Sequence, residues 1–272
     1  MKKRSITRAA LCALCLSALA SVSSAQEKTT AKPATATPAT TTATTTTTTT
    51  ATAPGPAAKT TVAITASTSP LDLARAALAA QGGEKFRNLK SLVLIGSVDL
   101  YGPNSAQSLP GKFVVVTSGD RVRIEIQSPA FNFRQIYDGQ QSYSSIPQMQ
   151  LPPPSKFGLN LLNKFEQPGY TVTALPDKKK QRAFRITDAE GNSTDFYVDP
   201  TTGRVMTFLI PYEGYTFGVE NTSLKEVDGV LVPYGFTQRL ETPQGAFFAE
   251  YKVKTVKINE PLGDDVFSIP DK

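Results

Sequence analysis

The chain contains no histidine. That removes the commonest general base, the nucleophilic triads that use it and every imidazole metal site. Its two cysteines, Cys12 and Cys15, both lie in the first 25 residues. From residue 26 onward no disulfide, thiolate metal site or cysteine nucleophile can form. No glycine-rich phosphate loop follows a strand and opens a helix. Asp264 and Asp265 are the one adjacent acidic pair, and no third ligand lies near them in the terminal tail. Calcium cages need about six oxygen ligands or more. A hydrolase built on two distant carboxylates is the least favoured reading, because Glu125, Glu241 and Glu250 fall on outer strand faces. The expectation is a protein that is not an enzyme and uses no cofactor.

A long hydrophobic run is also missing. The apolar stretch 9–20 is shorter than the ~20 residues that span a bilayer. It follows Lys2, Lys3, Arg4 and Arg8 and precedes Ser23-Ser24-Ala25, the pattern of a cleaved secretory signal over residues 1–25. Leu11 and Leu14 precede the two cysteines where a lipoprotein signal would place a small residue, so no lipid anchor is expected. Residues 26–69 form a leader in which Thr supplies 19 of 44 positions, too little apolar surface to offset the entropy of ordering, and it is read as disordered.

An excess of either charge is lacking in the remainder. Of 29 basic and 23 acidic residues, the signal holds four basics, and the leader holds Lys28, Lys32, Lys59 and Glu27. Residues 70–272 therefore carry 22 of each, and the balance gives no argument for nucleic acid. The one basic cluster, Lys178-Lys179-Lys180 with Arg182, follows Pro176-Asp177 and reads as a solvated turn.

What is present is mostly strand. Ser69 as N-cap, Pro70 at the first helical position and Asp72 near the positive end open a helix that Gly82-Gly83 closes, with Leu71, Ala74, Leu78 and Gln81 on one stripe. Strands follow over 89–101, 111–117, 121–127, 131–137 and 141–146. The segment "PPPSKFGLNLLNKFEQPG" interrupts them. Ser155 caps an inserted helix there, and Phe157, Leu161 and Phe165 recur at a spacing of four. Strands resume over 170–175, 182–187, 194–198, 204–210, 215–225, 230–241 and 246–258, with "DPTTGR" and "VDG" as hairpin turns.

The last two strands alternate clearly. Val230, Val232, Tyr234, Phe236 and Leu240 share one face, as do Phe247, Ala249, Tyr251 and Val253, opposite the solvated Glu250, Lys252 and Lys254. The fold class is mainly β (α+β). A single curved antiparallel sheet of about 10–12 strands forms an open half-barrel, with one N-terminal helix and one inserted helix over the concave face. Its candidate lining is aromatic and apolar: Phe131, Phe133, Tyr137, Phe157, Leu161, Phe165, Phe208, Phe217, Tyr234, Phe236, Phe247 and Tyr251. Such a surface suits an acyl chain or lipid.

The order of pieces carries a resemblance. "ARAALAAQGGEKFRNLKSLVLIGSVDL", "FYVDPTTGRVMTF", "ENTSLKEVDGVLVPYGFTQ" and "VKINEPLGDDVFSIP" follow in sequence over residues 70–270. This resembles the outer-membrane lipoprotein-sorting (LolA/LolB-like) superfamily of bacterial envelope proteins. The resemblance implies a half-closed barrel with helices over its mouth. It also implies a hydrophobic cavity for a lipid or lipoprotein acyl chain and a periplasmic location; a monomer is the expected state. Arg123 and Arg134 are both of the right kind for the family's lid-fastening arginine, and neither is assigned. The alternative function is an envelope interaction or sensor module of the same fold that binds a membrane protein.

Overall fold

The protein is described by a computed structural model over residues 64–270, apart from 104, 148–150, 154, 243 and 244. The signal and nearly all of the Thr-rich leader lie outside the described residues.

Helix α1 spans Pro70–Gln81, and the Ser69 hydroxyl accepts from the Asp72 amide at 3.1 Å. That satisfies one of the amide donors a helix start leaves open. Gly82 and Gly83 end it by donating back to Ala79 and Leu78. The buried face differs from the predicted stripe. Leu73, Ala74, Ala77, Leu78 and Gln81 are buried, whereas Leu71 in the first turn is 37% exposed. The helix therefore lies flat on small residues, with Leu73 as its anchor in place of Leu71. The one-turn α2, Glu84–Arg87, adds buried Phe86.

Twelve strands follow. β1 is Leu92–Tyr101, β2 Ser108–Ser118, β3 Arg121–Gln127, β4 Asn132–Tyr137 and β5 Ser142–Ser144. After the interruption come β6 Thr171–Ala174, β7 Arg182–Thr187, β8 Ser193–Val198, β9 Val205–Tyr212, β10 Tyr215–Val227, β11 Val230–Thr242 and β12 Gly245–Ile258. They make one antiparallel sheet in the order β5-β4-β3-β2-β1-β12-β11-β10-β9-β8-β7-β6. β5 and β6 are free edges, so the sheet curves without closing. All connections are hairpins except the β5-to-β6 stretch, which crosses between the edges, and β1 pairs with β12. The first strand therefore sits in the middle of the sheet.

Three register irregularities interrupt the sheet, and the first of them keeps apolar residues inward. At Ile95/Gly96 the β1–β12 register slips by one, leaving Lys254 unpaired. Without that bulge Val256 and Ile258 would fall on the outer face, because side chains alternate strictly. Gly96 points to the concave side, where a Cβ would lie 2.0 Å from the Lys252 carbonyl oxygen and 2.7 Å from the Phe113 ring. Its missing side chain is the space Phe113 fills. The second irregularity, between Asn221 and Leu224, leaves Tyr234 without a cross-strand partner.

The concave face carries the main core. Phe113, Phe236 and Tyr251 form one aromatic group, with Phe236 and Tyr251 stacked at 4.5 Å and Phe113 edge-on to Tyr251 at 5.0 Å. Phe184, Phe196 and Phe208 form another, with Phe184 and Phe196 stacked at 5.1 Å. α1 packs over β6, β7, β9 and β11.

The outer face has an apolar patch as well. Val93, Val116 and Ile136 are covered by the C-terminal tail through Phe267. The Arg123 guanidinium donates to the Val266 carbonyl at 2.9 Å, and Arg121 lies over the Phe267 ring. Among the described residues no helix is long and apolar enough to cross a membrane.

Candidate functional site

The inserted segment decides what the concave face can do. It is not the predicted helix over 155–165. Only Gly158–Asn163 is helical, as a short 3-10 stretch, and Phe157 precedes it without a side-chain cap. The Ser155 hydroxyl, predicted to cap, is buried without a partner. The sequence explains this. Gly158 adopts φ 73, and two asparagines lie in the stretch, so intrinsic helicity is poor. The fold of the segment follows its anchors. Phe157, Leu161, Leu162 and Phe165 are 5%, 0%, 0% and 3% exposed, all within the concave core. Phe157 meets Tyr212 edge-on at 5.4 Å.

Polar contacts pin the same segment at several places. Gln135 on β4 exchanges two hydrogen bonds with the Leu151 backbone, at 2.9 and 2.7 Å. The Gly158 amide donates to Thr194 on β8 at 3.0 Å in a buried site. Lys156 pairs with Glu190 in the β7–β8 turn, and Lys164 with Asp120 in the β2–β3 turn. Glu166 accepts from Arg87 of α2 at 2.5 Å and from Arg75 of α1 at 3.0 Å. These two arginines, Arg87 foremost, hold the Glu166 carboxyl below the usual carboxylate range. Exposed pairs of this kind contribute little free energy. The apolar anchors hold the segment down, and the ion pairs fix where it lies.

Most of the predicted lining comes together. Phe133, Phe157, Leu161, Phe165, Phe208, Phe217, Phe236 and Tyr251 lie in the concave core, and Phe131 packs against it. Tyr251 is 6% exposed, and burial pushes its phenol pKa up. Three residues stand apart. Tyr137 is half-buried and donates to the Gly139 carbonyl at 2.9 Å. Tyr234 sits at the second bulge with Lys225 Nζ 4.3 Å from its ring centroid. Phe247 is half-buried opposite Leu240. It lies at the end of the concave face away from α1, where Leu109 and Tyr215 are 37% and 42% exposed. Apolar side chains thus reach solvent at this end.

Neither arginine of the right kind fastens the segment. Arg123 and Arg134 lie on the outer face and share Glu125 at 2.6 and 2.7 Å. Burial disfavours the Glu125 carboxylate, but the two arginines outweigh it and lower its pKa. The arginines that do grip the segment, Arg75 and Arg87, were not singled out from the sequence. Nothing in the chain order signals them, because Glu166 is 91 and 79 residues away.

The concave face is filled in this arrangement. Two clefts lie at its margin. One, of about 150 Å³, runs between Phe86, Arg87, Leu89 and Asn163. The other, of about 380 Å³, is open to solvent between Glu84, Lys85, Asp228 and Asn259. A buried drug-sized ligand occupies roughly 300–1,000 Å³ in most pockets. Neither cleft lies inside the concave core, where among the described residues the segment's own apolar side chains pack against the aromatic face.

An antiparallel sheet open at both edges, with α1 and the inserted segment packed on its concave face, has counterparts among solved structures. No protein-family model and no curated sequence matches this chain. A LolA superfamily protein from Nitrosomonas europaea superposes with a TM-score of 0.50 at 11% identity, covering 75% of this chain and 99% of its own. A DUF1329 family protein from Desulfovibrio piger gives 0.47 at 10% identity over 73% and 95%. A domain from Vibrio parahaemolyticus described as an outer membrane lipoprotein-sorting protein gives 0.45 at 12% over 71% and 97%. The chain has the LolA-like fold.

Proposed function

We propose that this protein is a periplasmic carrier that shields an acyl chain of a lipid or lipoprotein against the concave face of its sheet. The observation that carries this reading is the cover itself. Phe157, Leu161, Leu162 and Phe165 bury a stripe on a segment with little helical preference of its own, and that stripe occupies the aromatic face. An acyl chain offers the same apolar surface and can replace it. The half-exposed Leu109, Tyr215 and Phe247 at the far end give the chain an apolar entrance. The LolA-like fold of the Nitrosomonas europaea protein is consistent with the reading. The export pattern of the first 25 residues supports the location.

The test uses the cysteine-free mature chain. Spin labels at Asn160 on the segment and Thr201 in the β8–β9 turn report one distance without lipid. On adding myristate the carrier predicts a second, longer distance together with a bound acid in native mass spectrometry. A distance that stays fixed, with no acid retained and a membrane protein co-purifying, would favour the interaction module.

A further inference from the structure

The segment that fills the concave face has an order worth noting: Phe157, Leu161, Leu162 and Phe165, then immediately Glu166. Its apolar stripe is buried, and its carboxylate ends between two guanidinium groups. It has the chemical form of an acyl chain ending in an anionic head. We propose that Arg75 and Arg87 are the seat for the anionic headgroup of a bound amphiphile, a carboxylate or phosphate, and that Glu166 is a resident stand-in for it. The inference rests on the carrier reading and names the class of its ligand.

Three observations support it. First, the seat and the apolar site are vacated by one motion, because Glu166 adjoins Phe165 in the chain. A ligand whose tail replaces the stripe also meets the two arginines once the acid leaves. Second, an incoming anion restores the charge that Glu166 carries. The two arginines also face Asp72 and Glu84, at 3.4 and 3.5 Å, and removing Glu166 leaves two cations against these two carboxylates. Glu84 is 77% exposed, so solvent screens much of its opposition. Third, the cleft beside the seat contains polar groups in search of a partner. Arg87 Nε and Asn163 Oδ1 are buried without hydrogen-bond partners, and both residues line it. A headgroup oxygen can accept from the first, and a protonated or hydroxylated head can donate to the second.

Binding of myristate, tetradecanol and inorganic phosphate to the full mature chain tests the idea. Two charge-assisted contacts correspond to about tenfold or more in affinity. Wild type is expected to bind myristate at least about tenfold more tightly than tetradecanol on that basis. Glu166→Gln should tighten both ligands, since neither then has to part the ion pairs, and should keep the preference for the acid. Arg75→Gln with Arg87→Gln should erase the preference, chiefly by tightening tetradecanol, which then has no ion pairs to part. Equal affinity for acid and alcohol in every variant overturns the headgroup seat and leaves the carrier standing. Failure of both to bind overturns the carrier reading as well. Phosphate that binds alone and is not displaced by myristate overturns the amphiphile as the source of the anion.

Discussion

Leu161→Ala separates a cover that lifts from a fixed part of the core. Leu161 is fully buried, and its neighbour Leu162 is equally enclosed, so neither can shift to fill the space. Truncation at such a site costs about 2–5 kcal/mol through lost transfer and the cavity left behind. The polar clamps to Gln135, Thr194, Glu190, Asp120 and the two arginines remain. If residues 155–167 open as a local unit, the whole cost falls on that opening. Hydrogen exchange across the segment should then speed up by about 30- to 5,000-fold, at 1.36 kcal/mol per decade. The Phe165 amide, which donates to the Leu161 carbonyl at 3.1 Å, is the reporter. Exchange in β11 and β12 should change little, and the denaturation midpoint should fall by less than the full cost. The assay is peptide-resolved exchange by mass spectrometry on the folded protein. A loss of protection equal in the segment and in β11 would refute the reasoning, because the segment would then open only with the sheet.

Tyr251→Asp should unfold the domain or abolish lipid uptake, since it places a charge against Phe113 and Phe236, whereas Lys252→Asp, at a side chain 70% exposed, should cost less than about 1 kcal/mol. Chemical denaturation of both variants decides it, and equal tolerance would mean that the β12 faces are assigned the wrong way round. The same tyrosine sets an alkaline limit. Its folded pKa lies above the ordinary value of about 10, so above that pH the unfolded chain loses a proton that the folded one keeps. Stability should fall there by about 1.4 kcal/mol per pH unit from this group, and Tyr251→Phe should remove that slope. Identical alkaline slopes in the two proteins would contradict it. Gly96→Ala should lower the melting temperature strongly, because its methyl would meet the Lys252 carbonyl backbone at 2.0 Å. A melting temperature within a degree or two of wild type would show that the bulge relaxes freely.

The sheet was legible because its signal is local. Alternation and turn residues placed twelve strands, and two of them, Arg121–Gln127 and Arg182–Thr187, have the observed ends. Asp228 and Gly229, with φ 50 and 81, make the tight "VDG" turn that a twisted hairpin requires. Helix α1 was located by its caps but misjudged by its face. Leu71 and Leu73 are equally apolar, and only the tilt of the helix on the sheet decides which is buried. The covered outer patch had a trace in the sequence as well. Val114, Val115 and Val116 put apolar side chains on both sides of β2, which implies that both sides are packed.

The candidate site was half legible for the same reason. Phe157, Leu161 and Phe165 announce themselves by spacing, and the structure buries all three although the helix that the spacing suggested is barely formed. Periodicity reported the face, and burial chose the conformation. Glu166 offers no such pattern. An acid after an apolar stripe is ordinarily a solvated residue, and its two partners lie on two other elements, α1 and α2. Its contact with Arg75 and Arg87 exists only because α1 and α2 pack over the same concave face as the segment. The apolar anchors and the acid therefore stand or fall together: whatever lifts Leu161 from the aromatic core also takes Glu166 from its arginines. A ligand able to replace only one of them leaves the other as a restoring force. A neutral hydrocarbon must part the ion pairs without compensation, and a free anion must expose the apolar stripe. Under the proposed carrier function, an amphiphile with an anionic head is the one ligand class that would replace both.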